Sequence, residues 1–189
     1  MKKKLNNIIF MGMKHCGKST HGKKTADYLG LEFYDTDHLM IYAYKQKTGL
    51  DIDIRGIYKK YGETGFRDFE EHVFLGLLKE LEKRKQRAVI SLGGRLPMNL
   101  NLTDALKNAG ENIFIKVDPK VLFKRVIRKG IPPFLSKENP EEDFLSMYNE
   151  RKERYYDLAD TIIPLKDQKI EEVFKIIISK LGQLGRLGQ

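Results

Sequence analysis

Two spacings of apolar residues alternate along this chain. Short apolar runs of strand type fall at 8–11, 31–34, 88–92, 113–117 and 161–163. Longer segments with helical spacing separate them, at 19–29, 38–48, 52–61, 63–84, 102–109, 119–128, 141–157 and 170–181. The clearest is 63–84, where Phe66, Phe69, Val73, Leu77, Leu78 and Leu81 share one broad stripe. Strands alternating with helices predict βαβ units. The same alternation of apolar runs with helical segments predicts a parallel sheet covered on both faces. At 189 residues the chain is read as one α/β domain, 1–189, with a five-stranded parallel sheet.

Two segments break the alternation. Residues 129–140 hold Pro132, Pro133 and Pro140 with Gly130, Ser136 and Asn139 between two helices, which predicts a mobile lid. Residues 182–189 carry three glycines and predict a fraying tail.

The first strand runs into Gly12, Met13, Lys14, His15, Cys16, Gly17, Lys18, Ser19 and Thr20, and a helix follows. Strand, glycine-rich turn, Gly-Lys-Ser and helix, in that order, make a phosphate-binding loop. Gly12 and Gly17 let the backbone turn its amides toward phosphate oxygens, and the helix start adds a positive dipole end. Lys18 is placed to reach the β- and γ-phosphates and Ser19 to ligate Mg²⁺, while Thr20 starts the helix.

The formal charge of +9 is spread among many acidic residues and fits a polyanion site better than nucleic-acid binding. Lys2, Lys3 and Lys4 form a basic cluster too short to indicate a target. A single cysteine, Cys16, excludes an internal disulfide and fits a reducing compartment. Its place in the loop suits either a reactive thiol or a small filler. No apolar run is long enough for a signal peptide or a membrane span, so the expected location is cytoplasmic.

After the second strand come Asp35, Thr36 and Asp37. Residues just past the carboxyl end of a parallel strand face the ligand crevice. One carboxylate there suits Mg²⁺ and its waters and the other a substrate hydroxyl, although Asp37 also suits the N-cap of the next helix. The run Gly62, Glu63, Thr64, Gly65, Phe66, Arg67, Asp68, Phe69, Glu70 follows. With the loop, the Asp35–Asp37 triplet, Gly93–Gly94 after the third strand, and Arg151 followed by Tyr155, Ala159 and Asp160, the chain resembles the shikimate kinase family over nearly its whole length.

That resemblance implies a nucleoside-monophosphate-kinase-like domain with ATP and Mg²⁺ at the loop, Ser19 and Asp35 being the metal residues. It implies that Lys18 and Asp37 serve catalysis and that Asp37, Arg67, Gly93, Gly94 and Arg151 hold a small polyhydroxylated acid, most simply shikimate. Arg67 and Arg151 suit forked recognition of a carboxylate, and Asp37 can take the proton of an attacking hydroxyl. Arg125 matches the family arginine that packs near adenine. The implied reaction is ATP-dependent phosphorylation of shikimate in the aromatic amino-acid precursor pathway, by a monomer.

Three positions depart from the family pattern. His15 stands where the loop has another glycine, Arg95 replaces the third glycine of a Gly-Gly-Gly run, and Pro132 stands at the lid arginine. Arg128, Lys129, Lys137 or Arg95 could supply the missing charge. These departures also leave open a paralogous kinase of another hydroxy acid or polyol, or a nucleotide-binding regulator without transfer activity.

Overall fold

The computed structural model describes residues 6–128, 130–132 and 134–185. Strands β1 (Asn7–Met11), β2 (Glu32–Asp35), β3 (Ala88–Ser91), β4 (Gly110–Val117) and β5 (Thr161–Leu165) form one sheet of order β2-β3-β1-β4-β5. Every neighbouring pair is parallel, as the apolar runs imply. Central β1 is buried along its whole length, and Pro164 sits in the edge strand β5, where proline is tolerated.

The helices are α1 (Lys18–Leu29), α2 (Thr36–Thr48), α3 (Ile54–Arg84), α4 (Thr103–Ala109), α5 (Pro119–Ile127), α6 (Pro140–Leu158) and α7 (Ile170–Gln183). Helices on both faces cover the sheet. α1 packs against β1, β2, β3 and α7, while α4 and α5 pack against α6, which lies on β4. Two short 3₁₀ turns, Leu96–Met98 and Leu100–Leu102, lead into α4.

The segments expected as separate helices at 52–61 and 63–84 join into α3, broken at Gly62 (φ 68°, ψ −174°). A left-handed φ suits glycine there and bends the element without ending it. The buried stripe of α3 is Ile57, Phe66, Glu70, Phe74, Leu78 and Leu81, so Phe74 takes the place expected for Val73 and a carboxyl lies inside the stripe. With Met40 and Tyr44 of α2, Ile57 and Phe66 form a small core separate from the main one. Tyr44 packs edge-on against Tyr61 and Phe69 within it. This satellite core fixes the α2–α3 pair that carries one wall of the cleft described below.

Strand β4 begins three residues before its apolar run because of Asn7. Its buried side chain accepts from Ala88 N at 2.9 Å and donates to Ala109 O at 2.8 Å, tying β1 to both neighbours. Gly110 pairs with Asn7, and a Cβ at Gly110 would lie 2.2 Å from Asn7 O. A strand start built on backbone contact and one amide carries no apolar signal.

In the expected lid, Leu135 is buried and donates its N–H to Pro132 O at 3.0 Å; Lys129 and Pro133 lie outside the described residues. Helix α7 extends to Gln183, into the segment read as a tail, and residues 186–189 lie outside the described residues, as do Lys2, Lys3 and Lys4. Among the described residues no helix is long and apolar enough to cross a membrane.

Replacing Asn7 by alanine would strand a buried amide N–H and a buried carbonyl. Asn7→Ala is expected to lower the unfolding free energy by about 2–4 kcal/mol, read from denaturant titration; a loss below about 0.5 kcal/mol, the range of ordinary surface substitutions, would contradict the bridging role.

Candidate active site

The turn between β1 and α1 is held from both sides. A Cβ on Gly12 would lie 2.8 Å from Ile115 O and 3.0 Å from Cys16 Sγ, so the chain passes there with no side chain between it and β4. Gly17 precedes α1 in the left-handed region (φ 99°). His15 also takes a left-handed φ of 66°, a conformation that costs a side-chain-bearing residue about 1–2 kcal/mol. The loop thus keeps the glycine-type backbone where the sequence has histidine. Cys16 and Met13 are buried beneath it, which makes Cys16 a filler and not an accessible thiol.

Lys18 opens α1, where the first-turn N–H groups have no intrahelical partner. Its ammonium folds back over the loop and donates to Met13 O at 3.0 Å, with Cys16 Sγ 3.9 Å away. Ser19 Oγ donates to Asp35 Oδ2 at 2.6 Å and lies 3.3 Å from Ser91 Oγ. The three groups come from α1 and from the ends of β2 and β3, and the pairing of Asp35 with Ser91 in the sheet sets them side by side.

Asp35 has a second task. Its Oδ1 accepts from Asp37 N at 3.1 Å and caps α2. The N-cap expected for Asp37 therefore falls to Asp35, and the Asp37 carboxylate is left facing the cleft. Thr36 Oγ1 accepts from Gly93 N at 2.7 Å. A Cβ on Gly93 would come within 2.3 Å of Asp37 Oδ1, so that carboxylate rests directly against the glycine backbone. Burial raises the Asp37 carboxyl above the usual range, and the charge of Asp35 adds to this while Lys18, Lys14 and His38 oppose it.

Glu70 was quoted in the sequence motif without a role. The structure buries it in the same cleft as Asp37, and its carboxyl is pushed up to about 8, first by burial and then by Asp37. The signal for it was positional, because Glu70 stands four residues from both Phe66 and Phe74 on the buried stripe.

Arg151 reaches the cleft from α6. Burial lowers its pKa, which the neighbouring Tyr155 hydroxyl, one turn on, partly offsets. Tyr155 is itself buried against Phe114 and donates to Gly94 O at 2.7 Å. Arg154 donates to Pro97 O at 2.9 Å and to Thr103 Oγ1 at 2.6 Å. These bonds dock α6 onto the turn after β3 and set where Arg151 stands.

The cleft encloses about 780 Å³. Lys14, His15, Lys18, Ser19, Thr20 and Asp35 line one end, and Asp37, Glu70, Gly93, Gly94, Arg95 and Arg151 line the other. Phe134 of the expected lid borders it, but neither Arg128 nor Lys137 does. Two sequence-predicted residues stand apart. Arg67 donates to Glu63 Oε1 at 2.8 Å and faces a small hollow beside the cleft. Arg125 donates to Asp167 Oδ1 at 2.8 Å, outside the cleft lining, on the side where its charge helps to lower the pKa of His21.

Residues 14–182 match the family model described as Shikimate kinase. A relative named shikimate kinase from Caldanaerobacter subterraneus is 31% identical over 174 residues, covering 92% of this chain and 95% of the relative. Another from Bartonella quintana is 32% identical over 162 residues, 86% of this chain and 72% of that protein. Among solved structures, shikimate kinase from Acinetobacter baumannii in complex with shikimate superposes with a TM-score of 0.77 at 29% identity, covering 95% of this chain and 94% of that one. A family match over most of the chain, together with relatives above 30% identity covered over 72% and 95% of their length, establishes that the chain belongs to the shikimate kinase family of ATP-using phosphotransferases.

Proposed function

We propose that this chain transfers the γ-phosphoryl group of ATP to a ring hydroxyl of shikimate, giving shikimate 3-phosphate in the aromatic amino-acid precursor pathway. The observation that carries this reading is the two-ended cleft. A phosphate-binding loop lies at one end, and a carboxylate with a buried arginine, Asp37 and Arg151, at the other. The A. baumannii relative, solved in complex with shikimate, supports the choice of acceptor.

The loop from Gly12 to Thr20 holds the nucleotide, and Arg125 stacks on the adenine from outside the cleft. Lys18 leaves Met13 O to meet the phosphates, a compact charge suited to the transferred group. Ser19 and Asp35 offer the hard oxygen donors that Mg²⁺ prefers, already 2.6 Å apart, and would hold it. When bound, that ion neutralises phosphate charge.

Asp37 accepts the proton as the acceptor hydroxyl oxygen bonds to the γ-phosphorus and the bond to the ADP oxygen breaks. Its raised pKa brings it closer to that task than an ordinary carboxylate. Residues 129–140 close over the reacting groups as a lid, with Phe134 at the cleft edge. The enzyme acts as a monomer in this reading, and the buried thiol suits a reducing cytoplasm.

Coupled measurement of ADP release is expected to show turnover that depends on shikimate, and its absence on a competent, ATP-binding protein would refute this assignment. In the same assay Lys18→Ala is expected to abolish transfer. Arg151→Ala is expected to raise KM for the acid by roughly 10- to 100-fold with a smaller change in kcat. An unchanged KM would remove Arg151 from the acid site.

The Glu70 carboxyl, shifted from 4.5 to about 8, gives a stability signature. Between these values the unfolded chain is ionised and the folded chain keeps its proton, so stability falls as pH rises. Glu70→Gln is expected to flatten that decline, which is at most about 1.4 kcal/mol per pH unit. Parallel slopes for the two proteins in denaturation across this range would contradict a protonated Glu70.

A further inference from the structure

Arg95 stands where the family pattern has glycine, and its side chain has a defined place. Its Nη2 donates to Glu63 Oε1 at 3.0 Å, the same oxygen that receives Arg67 Nη2 at 2.8 Å. The guanidinium lies over the Tyr58 ring, 5.8 Å from its centroid. Glu63 and Tyr58 both belong to α3, so Arg95 is held on the acceptor wall of the cleft and not over the phosphate loop. A guanidinium has five N–H donors in a fixed fork. Glu63 engages one nitrogen, and Arg95 is among the residues that line the cleft with Arg151. Arg67, by contrast, is bound to Glu63 and lines only the adjoining hollow.

We propose that Arg95, together with Arg151, binds the carboxylate of the acceptor acid, with Glu63, which Arg67 shares, and Tyr58 holding the Arg95 guanidinium in position. This rests on the acid-kinase reading above and adds, to the contacts that the resemblance implies, a residue standing where the family pattern has its third glycine. The charge balance supports it. Arg95 bears on Arg151 strongly enough to help lower its pKa, and Glu70, the buried carboxyl nearby, holds its proton. Two like charges lining one cleft, with a neutral acid in it, leave a place for an anion. Arg95 does not replace the lid arginine, since its anchors draw it toward α3.

The test is equilibrium titration of the whole chain, in the presence of a non-hydrolysable ATP analogue, with shikimate and separately with its methyl ester. Arg95→Ala is expected to weaken shikimate binding roughly 10- to 100-fold, as for loss of a charged hydrogen bond. Ester binding should change little. Arg95→Lys, which keeps the charge without the fork, should fall between. Melting temperature and nucleotide affinity should match the parent protein. Unchanged shikimate affinity in Arg95→Ala, or equal losses on acid and ester, would overturn the assignment of Arg95 while leaving the acid-kinase reading in place. A parent protein that binds the ATP analogue but no shikimate would overturn that reading, and the role of Arg95 with it.

Discussion

The register between β2 and β3 is the constraint on which the site depends. Pairing Asp35 with Ser91 brings the ends of two strands level and delivers their following residues to one point. From that alignment come the Ser19–Asp35–Ser91 cluster, the bond from Gly93 N to Thr36 Oγ1, and the seating of Asp37 against Gly93. A slip by one residue would turn each side chain to the opposite face. The phosphate loop and the acceptor wall are thus parts of one strand pairing, extended by the docking of α6 through Tyr155 and Arg154.

The same region concentrates buried charge. Asp37 and Glu70 lie in one cleft with Arg151, and both carboxyls are displaced upward, chiefly by burial. Burying an unpaired charge costs several kcal/mol, and the protein limits that cost by keeping Glu70 protonated. Groups arranged this way are costly to folding but suited to an acid that brings its own charge and hydroxyls. At the more solvated edge of that wall, the shared acceptor Glu63 keeps two guanidinium groups together, where the pair contributes less to stability than to position.

Much of this was legible in the residues. The order strand, glycine turn, Gly-Lys-Ser and helix located the loop, and short apolar runs located the five strands, most plainly central β1, which is buried along its whole length. The division of labour between the two aspartates was not, since either could cap α2 until it was known which one ends the strand. Glu70 reads as a solvated helix charge unless its spacing from Phe66 and Phe74 is given weight. The capture of Arg67 by Glu63 follows an i,i+4 spacing that was visible in the motif. The partner of Arg125, Asp167, is separated from it by the whole of α6 and β5, and no local pattern joins them. Arg95 announced itself only as a departure, and its anchors on α3 required the fold.

The central claim, that the acceptor site is built by close approach of the Asp37 carboxylate to the Gly93 backbone, can be tested with one methyl group. Gly93→Ala would put a Cβ within 2.3 Å of Asp37 Oδ1 and force that carboxylate away. The account predicts a fall in kcat/KM for shikimate of roughly 100-fold or more, the scale of a lost acid–base contribution, with ATP-analogue affinity preserved. Unaltered kcat/KM for the acid in a stably folded Gly93→Ala protein would contradict it.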